Sequence, residues 1–392
     1  MVKTMVRQGS RTAVVVTALA LAAGCSGDGG EPSGSGTSAT SPSSNPSSTP
    51  GPTVSRPTSA PPATTAAPAG PVKLTVASTV ATGIEVPWGL AFLPDQSALV
   101  SERDSSKIKR IAGGRVTEVG EVDDVDPSSE GGLLGLAVDP QYPSRPYIYA
   151  YYSAGGDNRI ARLTYRDNRL SDQQVILDGI PQASVHNGGR LRFGPDGFLY
   201  AGTGDGGDRP NSQDDGSLGG KILRITTDGK AAPGNPGGRP WFSKGHRNVQ
   251  GLAFDGKQLY AAEFGQNTWD ELNAITSGAN YGWPAAEGVE GLDGMTDPIA
   301  QWRTSDASPS GIAFAQGHVF MASLRGERLW AIPVAGGKRT GEPQAFFTNE
   351  FGRLRTVEAA PDGSLWLTTS NTDGRGDTRN GDDRILRVTI SR

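Results

Sequence analysis

The chain has only three histidines in 392 residues, so each can be examined as a candidate general base. His186 lies in the segment SVHNGGRLRFGPDG, where two following glycines let the backbone approach a ligand closely. A histidine on such a loop can take a proton near neutral pH. His246 precedes Arg247 in a loop and is interpreted as structural, and His318 lies in an alternating β run, where we expect it to face solvent. His186 is therefore the candidate base, although a loop histidine taken alone is more often only a hydrogen-bonded residue.

Two arginine-containing segments have the composition of an anion site. GHRNVQGLAF places Arg247 beside Asn248, which combines fixed guanidinium donors with an amide that both donates and accepts. GRLRTVEAAPDG places Arg353 and Arg355 two residues apart, and side chains at that spacing in a strand point to the same face. Two guanidinium groups on one face suit a carboxylate or a phosphate, whereas a solvated strand face is the alternative interpretation.

The segment FGQNTWDELNAITSGANYGWP carries the hard oxygen ligands that Ca²⁺ prefers. Asp270 and Glu271 supply carboxylates, and Gly265 and Asn267 mark a turn whose carbonyls can point inward. The spacing does not match an EF-hand loop, so the segment by itself leaves a calcium site open.

Two other acidic, glycine-rich segments occupy residues 204–216 and 371–383. Neither of them has the spacing of an EF-hand loop. We therefore expect both segments to be solvated loops.

A repeated unit must position these side chains. Six copies of one pattern occur, each with a small apolar start, a turn containing Pro-Asp or Gly, and two β runs. The copies start at Gly89, Gly135, Arg190, Gly251, Gly311 and Thr356. The starts are 46, 55, 61, 60 and 45 residues apart, and each interval suits one four-stranded propeller blade. The sequence thus predicts an all-β fold, a six-bladed β-propeller over residues 72–392, in which a strand near 73–78 completes the last blade.

Composition and charge exclude several classes of protein. The chain has 37 Lys and Arg against 41 Asp and Glu, with no long basic run, so nucleic acid is not an expected partner. A single cysteine cannot form an intramolecular disulfide. No apolar run reaches the ~18 residues of a membrane-spanning helix.

The first 71 residues indicate export followed by a tether. Residues 1–24 have a positive start and an apolar stretch that ends in small residues, which is typical of a signal peptide. Cys25 follows in LAAGC, which resembles the bacterial lipobox, so we expect a lipidated cysteine; an ordinary signal peptide with an incidental cysteine is the alternative. Residues 25–71 are rich in Ser, Thr and Pro and are expected to form a disordered tether. The predicted location is the outer face of the cell membrane, with the N-terminal lipid as the only membrane contact.

Five segments in one order resemble the soluble-type aldose and glucose dehydrogenases that use pyrroloquinoline quinone (PQQ). They are EGGLLGLAVDP, HNGGRLRFGPDG, GHRNVQGLAF, DELNAITSGANYGWP and GRLRTVEAAPDG, and the resemblance covers about residues 80–392. That family is a six-bladed propeller, in agreement with the repeat count. The resemblance implies an oxidoreductase that passes hydride from the anomeric carbon of an aldose sugar to Ca²⁺-bound PQQ and forms the lactone. Its electrons would pass to a quinone or cytochrome that the sequence does not identify.

The same resemblance assigns roles to individual residues. His186 matches the catalytic base. The residues implied to bind PQQ are Glu130, Arg247, Asn248, Arg325, Arg353 and Arg355. The residues implied to bind Ca²⁺ are Gly265 and Gln266 through their carbonyls at the PQQ-bound ion, and Glu271 and Tyr281 at a second ion.

Three positions depart from the family pattern. Glu130 stands where Gln is usual, and a carboxylate beside an anionic cofactor is unfavourable unless it is protonated or paired. Gln266 stands where Pro is frequent, a change that a main-chain ligand tolerates. Arg325 replaces the usual Lys and keeps the charge while changing its reach.

Two other functions stay open at this point. A non-enzymatic surface propeller that lost the cofactor is favoured by Glu130 and Arg325 and opposed by the joint presence of the remaining site residues. A metal-dependent lactonase would need side-chain carboxylates that converge on one axial metal, and the sequence does not assemble such a set.

Overall fold

Short β runs separated by tight turns produce antiparallel strands throughout residues 70–392, the part of the chain that the computed structural model describes. These strands form six sheets of four or five strands. Each sheet is one blade of a β-propeller, so the predicted fold and blade number are confirmed. Within residues 70–392, no helix has the length and apolarity needed to cross a membrane.

The strands are numbered in chain order. The chain enters through β1 (Lys73–Thr82). Blade 1 contains β2 (Pro87–Phe92), β3 (Ala98–Glu102), β4 (Lys107–Ala112) and β5 (Arg115–Glu121). Blade 2 contains β6 (Leu133–Val138), β7 (Tyr147–Ser153), β8 (Asn158–Arg166) and β9 (Arg169–Ile180). Blade 3 contains β10 (Leu191–Phe193), β11 (Leu199–Gly202), β12 (Lys221–Ile225) and β13 (Trp241–Lys244), with short 3₁₀ helices at Arg209–Ser212 and Pro236–Gly238.

The remaining blades follow the same plan. Blade 4 contains β14 (Val249–Asp255), β15 (Gln258–Glu263), β16 (Trp269–Ile275) and β17 (Ala300–Arg303). Blade 5 contains β18 (Pro309–Ala315), β19 (His318–Ser323), β20 (Arg328–Ala335), β21 (Lys338–Arg339) and β22 (Gln344–Phe346). Blade 6 contains β23 (Leu354–Ala359), β24 (Leu365–Thr369), β25 (Arg384–Ser391) and the entering strand β1.

Strands from opposite ends of the described range close the ring. β1 pairs antiparallel with β25, from Lys73 opposite Ser391 to Thr82 opposite Arg384. The first strands of successive blades contact one another in order, and β23 of the last blade contacts β2 of the first. The prediction that an N-terminal strand completes the last blade is therefore confirmed, and that strand is longer than expected.

Glycines at the start of the first strands let neighbouring blades pack closely. A Cβ atom on Gly89 would lie 2.7 Å from the carbonyl oxygen of Leu134 in the next blade. A Cβ atom on Gly135 would collide with the carbonyl oxygen of Gly189. The glycines that begin four of the six repeats are thus a requirement of packing around the channel.

The loops that carry the candidate site residues lie at one end of the channel. Because the strands are antiparallel, the loop before the first strand and the loop between the second and third strands of a blade lie at the same end. We call this end the upper face. β25 runs away from the upper face and β1 runs toward it, so Lys73 and Ser391 lie at the opposite end.

The expectation for His318 is wrong. This residue begins β19 and is only 1% exposed. Its Nδ1 donates a hydrogen bond to the carbonyl of Gln316 at 3.1 Å, and burial lowers its pKa. His318 is therefore a buried, hydrogen-bonded residue of the strand rather than a solvent-facing one.

Candidate active site

A cavity of about 200 Å³ lies at the upper end of the channel, and we call it the arginine pocket. Its charged lining consists of five arginines and two carboxylates: Arg103, Arg325, Arg353, Arg355, Arg375, Glu130 and Asp373. Trp88, Gln250, Phe264, Ser308 and Leu324 complete the lining. The excess of guanidinium groups over carboxylates favours an anionic ligand.

The partly buried His186 pairs with the buried Asp205. Its Nδ1 lies 2.7 Å from Oδ1 of Asp205, which also accepts the Gly207 N–H at 2.8 Å. Oδ2 of Asp205 accepts the indole N–H of Trp283 at 2.9 Å. Burial acts to raise the pKa of Asp205, but these hydrogen bonds outweigh burial and lower the pKa below its ordinary value. Asp205 is therefore an ionised acceptor, so Nδ1 of His186 carries the proton and Nε2 keeps its lone pair.

The backbone of His186 is held in an unusual conformation. Its φ is 60°, in the left-handed region, which costs about 1–3 kcal/mol for a residue other than glycine. Its N–H donates to Oε2 of Glu130 at 3.2 Å, and its carbonyl accepts the Gly206 N–H at 3.2 Å. A Cβ atom on Gly204 would collide with the same carbonyl. Contacts from two loops thus fix the direction in which the imidazole points.

Sequence reasoning missed Asp205. It lies in segment 204–216, which was expected to be a solvated loop, yet Asp205 is fully buried. Its N–H donates to the carbonyl of Arg247 at 2.8 Å, so the neighbouring blade covers it. An Asp in the loop after the second strand of a blade, here three residues after β11, lies at the upper face, and this position is the signal that could have identified it.

Arg353 and Arg355 share one carboxylate. Nη2 of Arg353 lies 3.0 Å from Oδ2 of Asp373, and Nη2 of Arg355 lies 3.3 Å from the same oxygen. The two arginines therefore face the same side, as their spacing predicted. The side chain of Asp373 is 1% exposed, so the expectation of a solvated loop for 371–383 is wrong at this residue. Two guanidinium groups on one carboxylate leave a positive charge that is not balanced locally.

Glu130 is paired, which removes the objection to a carboxylate at this position. Its Oε1 accepts from Nη1 of Arg375 at 2.7 Å, while Oε2 holds the N–H of His186. Arg325 is exposed at the rim of the same pocket and forms no ion pair with any residue of the described range.

Arg247 and Asn248 lie between the His186 loop and blade 4. The Oδ1 atom of Asn248 accepts the Gly188 N–H at 2.9 Å. The guanidinium carbon of Arg247 lies 5.4 Å from the centre of the Trp283 ring, and burial lowers the pKa of this arginine. Its Nε is buried without a hydrogen-bond partner among residues 70–392. A buried donor without an acceptor is costly, so this atom fits a site whose acceptor arrives with a ligand.

The turn that contains Gly265 and Gln266 is organised by carboxylates. Oε1 of Glu287 accepts the four successive N–H groups of residues 266–269 at 2.8–3.0 Å. Oδ1 of Asp270 accepts the Gly265 N–H at 2.9 Å. In a trans peptide the C=O points opposite to the following N–H, so the carbonyls of Gly265 and Gln266 point away from Glu287. The donor set therefore fits two main-chain ligands for Ca²⁺.

Glu271 and Tyr281 border a second small cavity of about 10 Å³, together with Glu263 and Glu287. Burial, and then the charge of Glu263, raise the pKa of Glu271 to about 8. Both Glu263 and Glu271 accept from the amide of Asn273 at 3.0 Å, and the buried Oδ1 of Asn273 has no partner within residues 70–392.

A cation fits this second cavity. It would relieve the repulsion between Glu263 and Glu271, which both line the cavity. The hydroxyl of Tyr281 donates to the Ala274 carbonyl at 2.7 Å, which leaves only its main chain as a ligand. No three His, Cys, Asp or Glu side chains of residues 70–392 group into a metal site, so main-chain or amide oxygens would have to contribute.

Comparison with known proteins agrees with this geometry. The Glucose / Sorbosone dehydrogenase family matches residues 84–386. Aldose sugar dehydrogenase YliI of Escherichia coli is 30% identical over 74% of this chain and 89% of its own length. The PQQ-bound aldose sugar dehydrogenase of Streptomyces coelicolor is 56% identical, with a TM-score of 0.81 over 83% of this chain and 100% of that one. Quinoprotein glucose dehydrogenase B of Acinetobacter calcoaceticus is 30% identical over 61% of this chain and 59% of its own length. This chain belongs to the glucose/sorbosone dehydrogenase family.

Proposed function

We propose that this protein is a PQQ- and Ca²⁺-dependent dehydrogenase that oxidises the anomeric carbon of an aldose sugar to the lactone. The observation that carries the proposal is the His186–Asp205 pair, which lies next to a pocket rich in arginine. Family membership supports it, as does the 56% identity to a PQQ-bound aldose sugar dehydrogenase.

The residues present fit the cofactor and its cation. Arg353, Arg355 and Arg325 offer guanidinium groups to carboxylates, and the free Nε of Arg247 offers a donor to an oxygen of the ring system. The carbonyls of Gly265 and Gln266 are the Ca²⁺ ligands in this proposal. When bound, PQQ accepts the hydride of the sugar and Ca²⁺ polarises the accepting carbonyl.

His186 acts as the base. Its Nε2 is free to take the proton of the anomeric hydroxyl because Nδ1 is committed to Asp205. Asp205 fixes the tautomer and stabilises the imidazolium that forms, as a buried carboxylate does for a catalytic histidine. Glu130 holds the backbone of the same histidine, so the ring keeps its direction during the proton transfer.

Two measurements test this proposal. Titration of PQQ into the purified protein in a calorimeter should give binding that requires Ca²⁺ and weakens in Arg353→Ala. A panel of aldoses with an artificial electron acceptor should then give turnover. His186→Gln should lower turnover by about 10²–10⁴-fold and leave PQQ binding intact, whereas His318→Gln, at a histidine outside the pocket, should keep its turnover.

Absence of PQQ binding at high micromolar concentration with Ca²⁺ present would overturn the proposal. The protein would then be treated as the surface-binding propeller considered from the sequence. Near wild-type turnover in His186→Gln would instead remove the base from its assigned role.

We further propose that the protein is exported and anchored through a lipidated Cys25. The signal peptide and tether predicted for residues 1–71 support this location, and all of that segment except residues 70 and 71 lies outside the residues that the structure describes. Within the described residues, β1 starts at the end of the channel opposite the upper face. A radiolabelled fatty acid should enter the wild type and not Cys25→Ser, and the variant should leave the membrane fraction.

A further inference from the structure

Arg190 crosses the channel directly beneath the arginine pocket. Its Nε donates to the Gln250 carbonyl at 2.7 Å, and its Nη2 donates to Oγ1 of Thr356 at 3.1 Å. Its guanidinium carbon lies 4.4 Å from the centre of the Trp88 ring. Trp88 and Gln250 both line the pocket, so the 3%-exposed Arg190 lies one layer of side chains below it.

The charge of Arg190 has no carboxylate partner. Within residues 70–392, no carboxylate oxygen lies within 4.0 Å of its nitrogens, and both hydrogen bonds go to neutral oxygens. Burial lowers the pKa of Arg190 to about 9; the more distant charge of Glu358 acts to raise it, and the charges of Arg192 and Arg355 act to lower it. At neutral pH the group is nevertheless protonated, so the channel holds a buried positive charge that the protein itself does not pair.

Arg192 provides a matched contrast on the same strand. It lies two residues further along and therefore points to the same side. Its Nη2 donates to both carboxylate oxygens of Glu358, at 2.7 and 2.9 Å, and its Nε donates to the Leu252 carbonyl at 3.2 Å. Arg192 is thus a paired arginine in the layer below, further from the pocket.

Burying a charge without a counter-ion costs folding free energy. A protein in which an apolar residue of similar volume replaces the charged one is often at least as stable. A neutral side chain could make two hydrogen bonds and one aromatic contact such as those that Arg190 makes. The charge therefore has a use that the folded chain alone does not show. The adjacent pocket, already rich in arginine, is where an anion would meet it.

We propose that the unpaired charge of Arg190, which lies beneath the arginine pocket, stabilises a polycarboxylate bound in that pocket. This inference rests on the proposed function, in which that ligand is the tricarboxylate PQQ. Arg190 does not touch the reacting atoms, and it acts on the bound anion through the Trp88 and Gln250 layer.

Three variants separate this role from a structural one. Arg190→Met removes the charge and keeps the volume, Arg190→Lys keeps the charge and changes the hydrogen bonds, and Arg192→Met is the matched control. The affinity for PQQ in the presence of Ca²⁺ is measured by calorimetry. Thermal unfolding of the same proteins without ligand reports the structural effect.

The expected results differ between the two arginines. Arg190→Met should bind PQQ on the order of 10- to 30-fold more weakly, which is the effect of one charge over about 8–12 Å at an effective dielectric constant of about 20. Its unfolding temperature without ligand should equal or exceed that of the wild type. Arg192→Met should unfold at a lower temperature because it strands Glu358, and it should keep its PQQ affinity. Arg190→Lys should keep most of the affinity.

Other outcomes overturn the inference. Unchanged PQQ affinity in Arg190→Met would do so, as would an Arg190→Lys variant that binds as weakly as Arg190→Met. If Arg190→Met does not fold, the PQQ affinity of Arg190→Lys decides between the two roles. A loss of more than tenfold in that affinity would show that Arg190 has a structural role only.

A second probe separates this inference from the proposed function. Benzene-1,2,4-tricarboxylate presents three carboxylates without a quinone and is titrated into the same proteins. If the wild type does not bind PQQ, the proposed function fails, and the tricarboxylate then tests Arg190 alone. Weaker binding to Arg190→Met than to the wild type supports the inference, and no binding to the wild type overturns it.

Discussion

At the scale of single residues, the chemistry of this site depends on which groups stay charged. Asp205 and Asp373 are buried carboxylates whose pKa values are lowered despite burial, because donors from histidine, tryptophan and arginine outweigh desolvation. The ion pair with Arg375 offsets the negative charge of Glu130 and so reduces its repulsion of an anionic ligand. Residue types alone indicated the candidate base and the arginines, whereas the sequence did not indicate their carboxylate partners Asp205 and Asp373.

Asp205→Asn should lower turnover with aldose by about 10²–10⁴-fold while PQQ affinity stays within a few-fold of wild type. An amide can donate to Nδ1 and so stabilise the tautomer in which Nε2 carries the proton, which removes the base. Steady-state kinetics with an artificial acceptor measure the change. Asp208→Asn, at an exposed position of the same loop, is the control and should behave as wild type. Equal turnover in the two variants would contradict the role of Asp205.

The lowered pKa of Asp205 also predicts how stability depends on pH. A carboxyl whose pKa is depressed by folding contributes stability above its unfolded-state pKa, and this contribution is lost as pH falls through the folded-state value. The difference in free energy of unfolding between wild type and Asp205→Asn should thus be constant above the ordinary pKa of 3.8 and shrink below it. Chemical denaturation between pH 3 and 7 measures it, and a difference that widened on acidification would show the shift to have the opposite sign.

At the scale of the elements, each blade delivers site residues from the loop before its first strand and the loop after its second. The repeat spacing and the turn signals predicted the blades because both are local. The sequence did not predict that Asp205, Asp373 and His318 are buried. Asp205 is covered by residues far away in the chain, since it bonds the carbonyl of Arg247 and the indole of Trp283. Burial of a loop carboxylate depends on the closed ring of blades. The alternation of apolar and polar residues within one segment does not indicate that burial.

Four successive N–H groups of the turn, those of residues 266–269, depend on the single carboxylate of Glu287, and this gives a test at the element scale. Glu287→Gln removes the charge that gathers four backbone N–H groups, so the carbonyls of Gly265 and Gln266 lose their fixed direction. The Ca²⁺ concentration needed for half-maximal PQQ binding should rise about 10- to 100-fold, as for other residues that orient metal ligands. Glu342→Gln, at a side chain that is 87% exposed, should leave it unchanged. An unchanged Ca²⁺ requirement in Glu287→Gln would place the cation elsewhere.

At the scale of the whole molecule, the ring is closed by pairing β1 with β25, so the last blade needs both ends of the described range. Closure removes the free sheet edges that an open array of blades would expose. It also brings six sets of loops to one end of a single channel, where residues far apart in sequence meet at the arginine pocket.

Removal of the closing strand should therefore damage the entire fold. A chain that begins at residue 84 loses the buried side chains of Val72 and Leu74, which alone contribute roughly 3–6 kcal/mol. It also leaves β25 as a free edge. Thermal unfolding should show a large fall in midpoint or loss of the cooperative transition, whereas a chain that begins at residue 70 should unfold as the full chain does. Equal midpoints for the two truncations would contradict closure through β1.

In the proposed reaction, His186 takes the proton of the anomeric hydroxyl of an aldose, and PQQ would supply the hydride acceptor. The most direct measurement is the absorbance spectrum of the PQQ- and Ca²⁺-loaded protein mixed with excess aldose in the absence of oxygen and acceptor. We expect rapid conversion to the reduced spectrum in the wild type and reduction slowed by about 10²–10⁴-fold in a fully loaded His186→Gln. Equal rates in the two proteins, or no reduction of the wild type by any aldose, would contradict this expectation.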